Sequence, residues 1–327
     1  VKGLTWVVWR QHRATAWTVL ALTAVAACCV GYWFHQQYAF QQENGIAGCD
    51  ILLPTCHGER FTVEDSLPES ARLLHTDYRD MILRVGYGLL CLPLLVAMFI
   101  GAPLFARDFE NGSHRLALTQ SVSPRRWMAA KLGFAVSLTL VVSLVLTALY
   151  GWWWHSTWRD FGDLVWDTPT PFLTAGPAAV ALAVLAVVVA ATVGLVIRRT
   201  LPAMVVSLAI SGGVLYLLRA WRPAERLWPV RVERTAPSSF VDTPRHARHQ
   251  VLKYENSWGD RLPVEICPEM NPERARCLRE HNVVSSIVEY HPASAYWPTQ
   301  WVLAGICLTV AAALVAGCLW WVGRRTA

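Results

Sequence analysis

The chain has 327 residues, 54% of them hydrophobic and only 16% charged, with a formal net charge of +6 and a mean hydropathy of +0.32. An ordinary soluble domain carries about 25% charged residues, so this composition argues against a soluble enzyme. Seventeen Trp point instead to membrane–water boundaries, where that ring is enriched.

Six apolar runs lack Asp, Glu, Lys and Arg: 14–34, 85–106, 132–154, 173–197, 201–218 and 298–322. Each approaches the roughly 20 residues that a helix needs to cross about 30 Å of hydrocarbon. The sequence therefore predicts an all-α polytopic membrane protein with six spans, and a bilayer as its surroundings. Segment 1–13 combines Lys2, Arg10 and Arg13 with Trp6 and Trp9, an amphipathic segment suited to a membrane interface. Val25-Ala26-Ala27-Cys28 mimics a lipoprotein cleavage site, but the run is too long for a signal h-region of about 7–15 residues. It reads as a retained signal-anchor helix.

The loop 35–84 contains Ser66-Leu67-Pro68-Glu69, a capping box expected to open a helix toward Tyr78 and Ile82. The loop 107–131 places Asp108 and Glu110 before a Gly112-Ser113 break. Ser113 can cap a short helix through Leu118, and Ser123-Pro124 can start the third span. Span four is read as one run and span five as the shortest, ending near Ser211-Gly212-Gly213. Segment 219–297 reads as a small mixed α/β cap between spans five and six. A helix starts at Pro272, Val283–Tyr290 has strand composition, and eight prolines are expected to keep the remainder irregular.

Charge sets the expected orientation. Segments 1–13, 107–131, 198–200 and 323–327 hold 12 Lys/Arg and two acids, whereas 35–84 and 155–172 hold five basic residues and 11 acids. By the positive-inside rule both termini are cytoplasmic and the cap is external. Trp6, Trp9, Trp127, Trp320 and Trp321 would form the inner girdle, and Trp33, Trp152, Trp153, Trp154, Trp158, Trp221, Trp297 and Trp301 the outer one.

Four of nine cysteines, Cys49, Cys56, Cys267 and Cys277, fall in the two large outer loops, which suggests disulfides. Three connectivities exist; local pairing, Cys49–Cys56 and Cys267–Cys277, is the expected one. A metal site using Cys267, Cys277 and His281, or His246 and His249, is the alternative, although no zinc-type spacing supports it.

No nucleotide-binding loop, HExxH or GxSxG occurs, nothing points to nucleic acid, and the span interiors lack ionisable groups. Such a chain has no visible means of using an ion gradient, so energy for any work would enter through another protein. That directs attention to 107–131. On spacing alone it is a topogenic basic loop whose carboxylates are solvated partners of its arginines.

The order Arg107, Asp108, Glu110, Gly112-Ser113-His114-Arg115, Leu118, Arg125-Arg126 and Lys131 resembles the coupling loop of type-2 ABC exporter membrane subunits. Further stretches resemble small permeases of high-GC Gram-positive bacteria: Trp9-Arg10-Gln11-His12-Arg13, Gly101-Ala102-Pro103-Leu104, Arg198-Arg199-Thr200-Leu201-Pro202-Ala203 and Tyr290-His291-Pro292-Ala293-Ser294. The departure is Asp108, at a position often held by Glu. The resemblance implies a multi-pass permease of the bacterial plasma membrane, itself no enzyme and without a cofactor. It would pair with a second permease subunit, identical or not, and with an ABC ATPase that binds ATP and Mg. Glu110 would be the charge partner of that ATPase. The implied cargo is an amphiphilic small molecule, peptide antibiotic or lipid-like compound.

Two features within the spans bear on assembly and passage. Ala186, Ala190 and Gly194, and likewise Thr309, Ala313 and Gly317, form small-residue ridges. Thr139, Ser143 and Thr147 share one helix face, as do Ser207 and Ser211. Back-bonding to their own helices is expected; lining a substrate path is the sharper alternative. Two rivals remain, an antibiotic sensor or immunity protein acting through the cap without transport, and a membrane-embedded enzyme, for which no nucleophile–base pair is evident.

Overall fold

The computed structural model describes the chain except for residues 1, 45–76, 113–122, 158–165, 228, 237–247, 268–271 and 326–327. It divides into two compact units, one helical (1–164, 169–222 and 300–327) and one built around a sheet (165–168 and 223–299). The capping box at Ser66, the Cys49 and Cys56 pair, Ser113, His114, Arg115, Leu118 and Trp158 lie outside the described residues.

Six helices are long and apolar enough to cross a membrane. The first, α1, is Lys2–Glu43, 42 residues without interruption. At 1.5 Å per residue it is about 63 Å long, twice the hydrocarbon thickness. Segment 1–13 is thus the first three turns of this rod rather than a separate interfacial helix. No proline interrupts it, and a helix already nucleated extends at little cost.

Span two is interrupted. It runs as α2 (Arg79–Leu90), a break at Cys91, α3 (Leu92–Val96), a π-helical turn Ala97–Gly101 and α4 (Ala102–Glu110). Pro93 and Pro103 stand in the first turns of α3 and α4, where the missing N–H costs least. Span three is α5 (Pro124–Thr157) and begins where Ser123-Pro124 predicts.

The expected single run 173–197 is instead two pieces, α6 (Pro169–Thr174) and α7 (Pro177–Ile197). Gly176 at φ 82° turns the chain between them and Pro177 starts the new helix. Hydropathy misses this break because its residues are as apolar as the helix itself. Span five is α8 (Thr200–Trp221), joined to α7 by Arg198 and Arg199 alone. Span six belongs to the helix Tyr296–Arg325.

Spans two and four form the buried centre of the helical unit, with more than half of their apolar windows covered; spans one, five and six are about one-fifth covered or less. The ridge Ala186–Ala190–Gly194 explains the first contact. A Cβ on Gly194 would stand 2.4 Å from the Ala102 carbonyl oxygen, and one on Gly101 would stand 2.6 Å from Ala190 Cβ. This ridge therefore packs within the same chain, while Thr309, Ala313 and Gly317 face outward. Three girdle assignments change: Trp127, Trp153 and Trp154 are buried packing residues. Their neighbours Trp6, Trp9, Trp33, Trp152, Trp221, Trp301 and Trp320 are exposed.

The second unit contains α9 (Pro223–Arg226), β1 (Arg231–Thr235), β2 (Arg248–Asn256), β3 (Arg261–Pro263), α10 (Pro272–Glu280) and β4 (Val283–His291). The helix start at Pro272 and the strand from Val283 match expectation, but the irregular remainder is largely a four-stranded antiparallel sheet in the order β1-β4-β2-β3. The prolines beside described strands permit this because they lie at strand margins. Pro229 precedes β1, and Pro263 ends the edge strand β3. Asn256 makes the β2–β3 turn, its Oδ1 accepting from the Trp258 and Asp260 amides at 3.1 and 2.7 Å, with Gly259 at φ 83°. Tyr254, Leu278 and Cys267 form a small core. Cys267 and Cys277 are joined, S–S 2.02 Å, which occupies both thiolates of the metal alternative with His281; His246 of the other alternative lies outside the described residues.

Candidate functional site

The two acids of the loop 107–131 enter the helical unit from the end of α4, and both have partners inside the chain. Asp108 is buried, 4% exposed, and Lys131, one turn beyond Trp127 in α5, is 1% exposed. Their side chains form a hydrogen-bonded ion pair. The other carboxylate oxygen of Asp108 accepts from Gln11 Nε2 of α1 at 3.0 Å. Burying either charge alone would cost several kcal/mol, about as much as the pair loses when one partner is removed. The two residues thus hold each other in place, and the solvated reading of Asp108 is overturned by its burial.

Phe109 follows on the opposite side. The Arg198 guanidinium lies 5.3 Å from its ring centroid and Trp127 meets it edge-on at 6.5 Å. Glu110 is exposed, yet its Oε2 accepts from both the backbone N–H and the hydroxyl of Thr200, at 3.0 and 2.5 Å. It caps the N-terminus of α8, where unpaired N–H groups favour a negative charge. Helix α4 then ends with Asn111 N–H donating to Arg107 O at 3.0 Å and Gly112 at φ 69°, a left-handed position suited to glycine.

Asp108, Phe109 and Glu110 therefore tie span two to spans one, three, four and five in three consecutive residues. His12 of α1 reinforces the first joint by stacking on Phe134 of α5, 5.7 Å between centroids. Arg107, Arg125 and Arg126 flank the loop and are exposed, as are Arg10 and Arg13 on α1. Trp6 is exposed with Arg10 over its ring at 5.3 Å, and Trp9 is likewise exposed.

The opposite ends of spans one and three are joined as well. Trp153 Nε1–H donates to Gln37 Oε1 at 2.8 Å, both buried. In span six the fully buried Gln300 bridges the α6–α7 break. It donates to Phe172 O at 2.7 Å and accepts from Ala178 N–H at 3.0 Å.

The hydroxyl-bearing faces are buried within the chain. Ser143 donates to Thr139 O at 2.7 Å and Thr147 to Ser143 O at 2.6 Å, the back-bonded arrangement. The hydroxyls of Thr139, Ser207 and Ser211 have no hydrogen-bond partner among the described residues. Sequence reading singled out Asp108 and Glu110 but missed Gln11, Thr200, Gln37 and Gln300 as their counterparts or analogues. The one available signal was Lys131, a rare lysine in an arginine-rich chain, set at the start of an apolar run.

No curated protein and no solved structure matches the chain. A family described as ABC-2 membrane transporter related matches residues 18–222, more than half of the sequence and all of the first five spans except the start of the first. That stretch includes the interrupted span two, the Asp108–Phe109–Glu110 junction and the loop to Lys131, so the chain belongs to the ABC-2 membrane transporter related family and is a multi-pass membrane transport subunit.

Proposed function

We propose that the chain is the permease subunit of an ATP-driven exporter in the bacterial plasma membrane. Both ends would be cytoplasmic and the sheet unit external. An ABC ATPase subunit carrying ATP and Mg would engage the loop 107–131, beside a second permease subunit, identical or related. The cargo would be an amphiphilic small molecule, peptide antibiotic or lipid-like compound, moved unchanged, in keeping with spans in which no nucleophile–base pair is evident.

The observation that supports this reading is the junction at residues 108–110. A loop whose base is bonded to helices from four other spans delivers a push to nearly the whole bundle. A loop serving only membrane insertion needs no such bonds.

The test is co-purification of the tagged full chain with an ATP-hydrolysing partner, combined with cysteine labelling. Positions 115, 199 and 325 should label from the cytoplasm, and 60, 159 and 248 from outside. Gly112→Pro and Arg115→Glu should lower hydrolysis by the complex while the chain remains inserted. Labelling with the opposite sidedness, or a chain that brings down no ATPase, removes the reading. Antibiotic resistance that survives an ATPase-dead partner would favour the sensor or immunity role instead.

A further inference from the structure

The charges left over at the junction define a surface. Five arginines stand around it: Arg107 at its entry, Arg125 and Arg126 at the start of α5, and Arg198 and Arg199 on the α7–α8 turn. All five are exposed, and none makes an ion pair among the described residues. The two acids of segments 1–13, 107–131, 198–200 and 323–327 are Asp108 and Glu110. Asp108 is consumed by Lys131 and Gln11, and Glu110 is held by Thr200. In these segments Glu110, on which Arg199 acts, is the one carboxylate set against the five guanidinium groups, which leaves the surface strongly cationic.

We infer that this cationic surface is a docking face for an acidic partner, and that the ATPase meets the permease through carboxylates on its own side. The inference rests on the proposed function and deepens it. It gives the arginines, rather than Glu110, the main part in the interface, since Oε2 of Glu110 already accepts from Thr200.

Other arginines of the helical unit differ in kind. Arg10 lies over exposed Trp6 and Arg324 over exposed Trp320, at 5.3 and 4.1 Å. An exposed Trp with a cation at its edge is the signature of the headgroup layer. Arg198 is instead backed by Phe109, half-buried and covalently next to both committed carboxylates. Its backbone is held at φ 60° in a two-residue turn. Guanidinium groups anchored in this way are pre-organised forks for carboxylates, with little side-chain freedom left to lose.

The experiment uses the full chain in nanodiscs of phosphatidylethanolamine and phosphatidylglycerol. The probe is the partner chain captured with it, defined by Mg-dependent ATP hydrolysis. Binding is measured from about 50 to about 500 mM KCl, a range over which exposed charge pairs are progressively screened. Arg198→Glu and Arg107→Glu should each weaken the complex by about tenfold or more, and Arg198→Lys much less. Arg198→Gln and the salt series on the unmodified chain guard against a reversal variant that fails to insert. Arg10→Glu should leave binding unchanged.

A complex insensitive to salt and to these substitutions overturns the inference while the proposed function stands. Loss of bound phosphatidylglycerol from the variants with the ATPase complex intact also overturns it, making the surface a lipid site. If the unmodified chain captures no ATPase, the proposed function falls first and this inference with it.

Discussion

The buried pair of Asp108 and Lys131 makes a demanding prediction about stability. Their side chains are 6% and 1% exposed, so neither can recover water when the other is removed. Lys131→Met takes the cation away from the buried Asp108 carboxylate; Asp108→Asn leaves the ammonium with one weakened acceptor and the Trp127 ring at 5.3 Å. Each single change should destabilise the helical unit by about 3–5 kcal/mol, the range for an orphaned buried charge. The double variant Asp108→Leu/Lys131→Met removes both charges and should lie within about 1–2 kcal/mol of the parent. Gln11 is exposed and can turn to water. The assay is equilibrium unfolding in bicelles followed by tryptophan fluorescence, analysed as a double-mutant cycle. Single variants that cost under about 1 kcal/mol, or a double variant as damaged as the two singles summed, would refute the claim that each charge is compensated chiefly by the other.

Three further outcomes follow from contacts elsewhere. Gly194→Ala places a Cβ 2.4 Å from a backbone oxygen of span two, which cannot swing aside. It should cost about 1–3 kcal/mol, whereas Gly133→Ala, with open space around it, should be neutral or mildly stabilising in the same unfolding assay. Gln300→Leu removes the donor to the Phe172 carbonyl and the acceptor of the Ala178 N–H. A loss of about 2–4 kcal/mol should accompany faster hydrogen exchange at Ala178, and unchanged exchange there would contradict the bridge. In the sheet unit, burial lowers the pKa of His291 below its usual 6.5 against an opposing pull from Glu225. The unfolded chain then binds the proton more readily, so the unit should lose stability as pH falls below about 6.5 and level off once the folded-state value is passed. His291→Gln should flatten that dependence, as read by near-UV circular dichroism.

What could be read in advance was whatever depends on runs of like residues. Six apolar stretches identify six spans, because a helix in hydrocarbon must satisfy its backbone internally and its length is set by the bilayer. Pro124 and Pro272 mark helix starts, since proline is cheap only there. Illegible were the pairings between distant residues. Asp108 and Lys131 are 23 positions apart, and Gln37 and Trp153 are 116 apart; no periodicity links either pair. The break at Gly176 was masked by apolar neighbours. Strand β4 is legible from its composition, whereas β1, β2 and β3 escape a reading that lets eight prolines disrupt the whole segment; Pro229 and Pro263 stand only at strand margins. Glu110 is a subtler case: its exposure suits a contact site, and only the fold reveals that one of its oxygens also caps Thr200.

The distribution of polar joints has a mechanical consequence. On α1 the contacts with span three, through His12 stacked on Phe134 and through Gln37, are 25 residues and hence about 38 Å apart, and Gln11 beside His12 binds Asp108 of span two, which pairs with Lys131 of span three. Apolar contact is non-directional and resists sliding weakly, whereas a buried ion pair and a buried Trp–Gln bond permit little separation. Spans one and three are thereby held at both ends, directly through Gln37 and Trp153 and, at the loop end, by way of Asp108 of span two. Span two, which carries the loop, has the opposite construction, with a break at Cys91 and a π-helical turn that ends at Gly101, where it presses on span four. Turns of this kind hold fewer regular hydrogen bonds and reshape at lower cost than an α-helix. On the proposed reading, displacement of the loop would tilt the span one–three pair as one body, while the interrupted span two takes up the distortion against a rigid span four. The placement of charge fits that division, since ionisable side chains sit where force would enter and are absent from the surfaces that would have to move past one another.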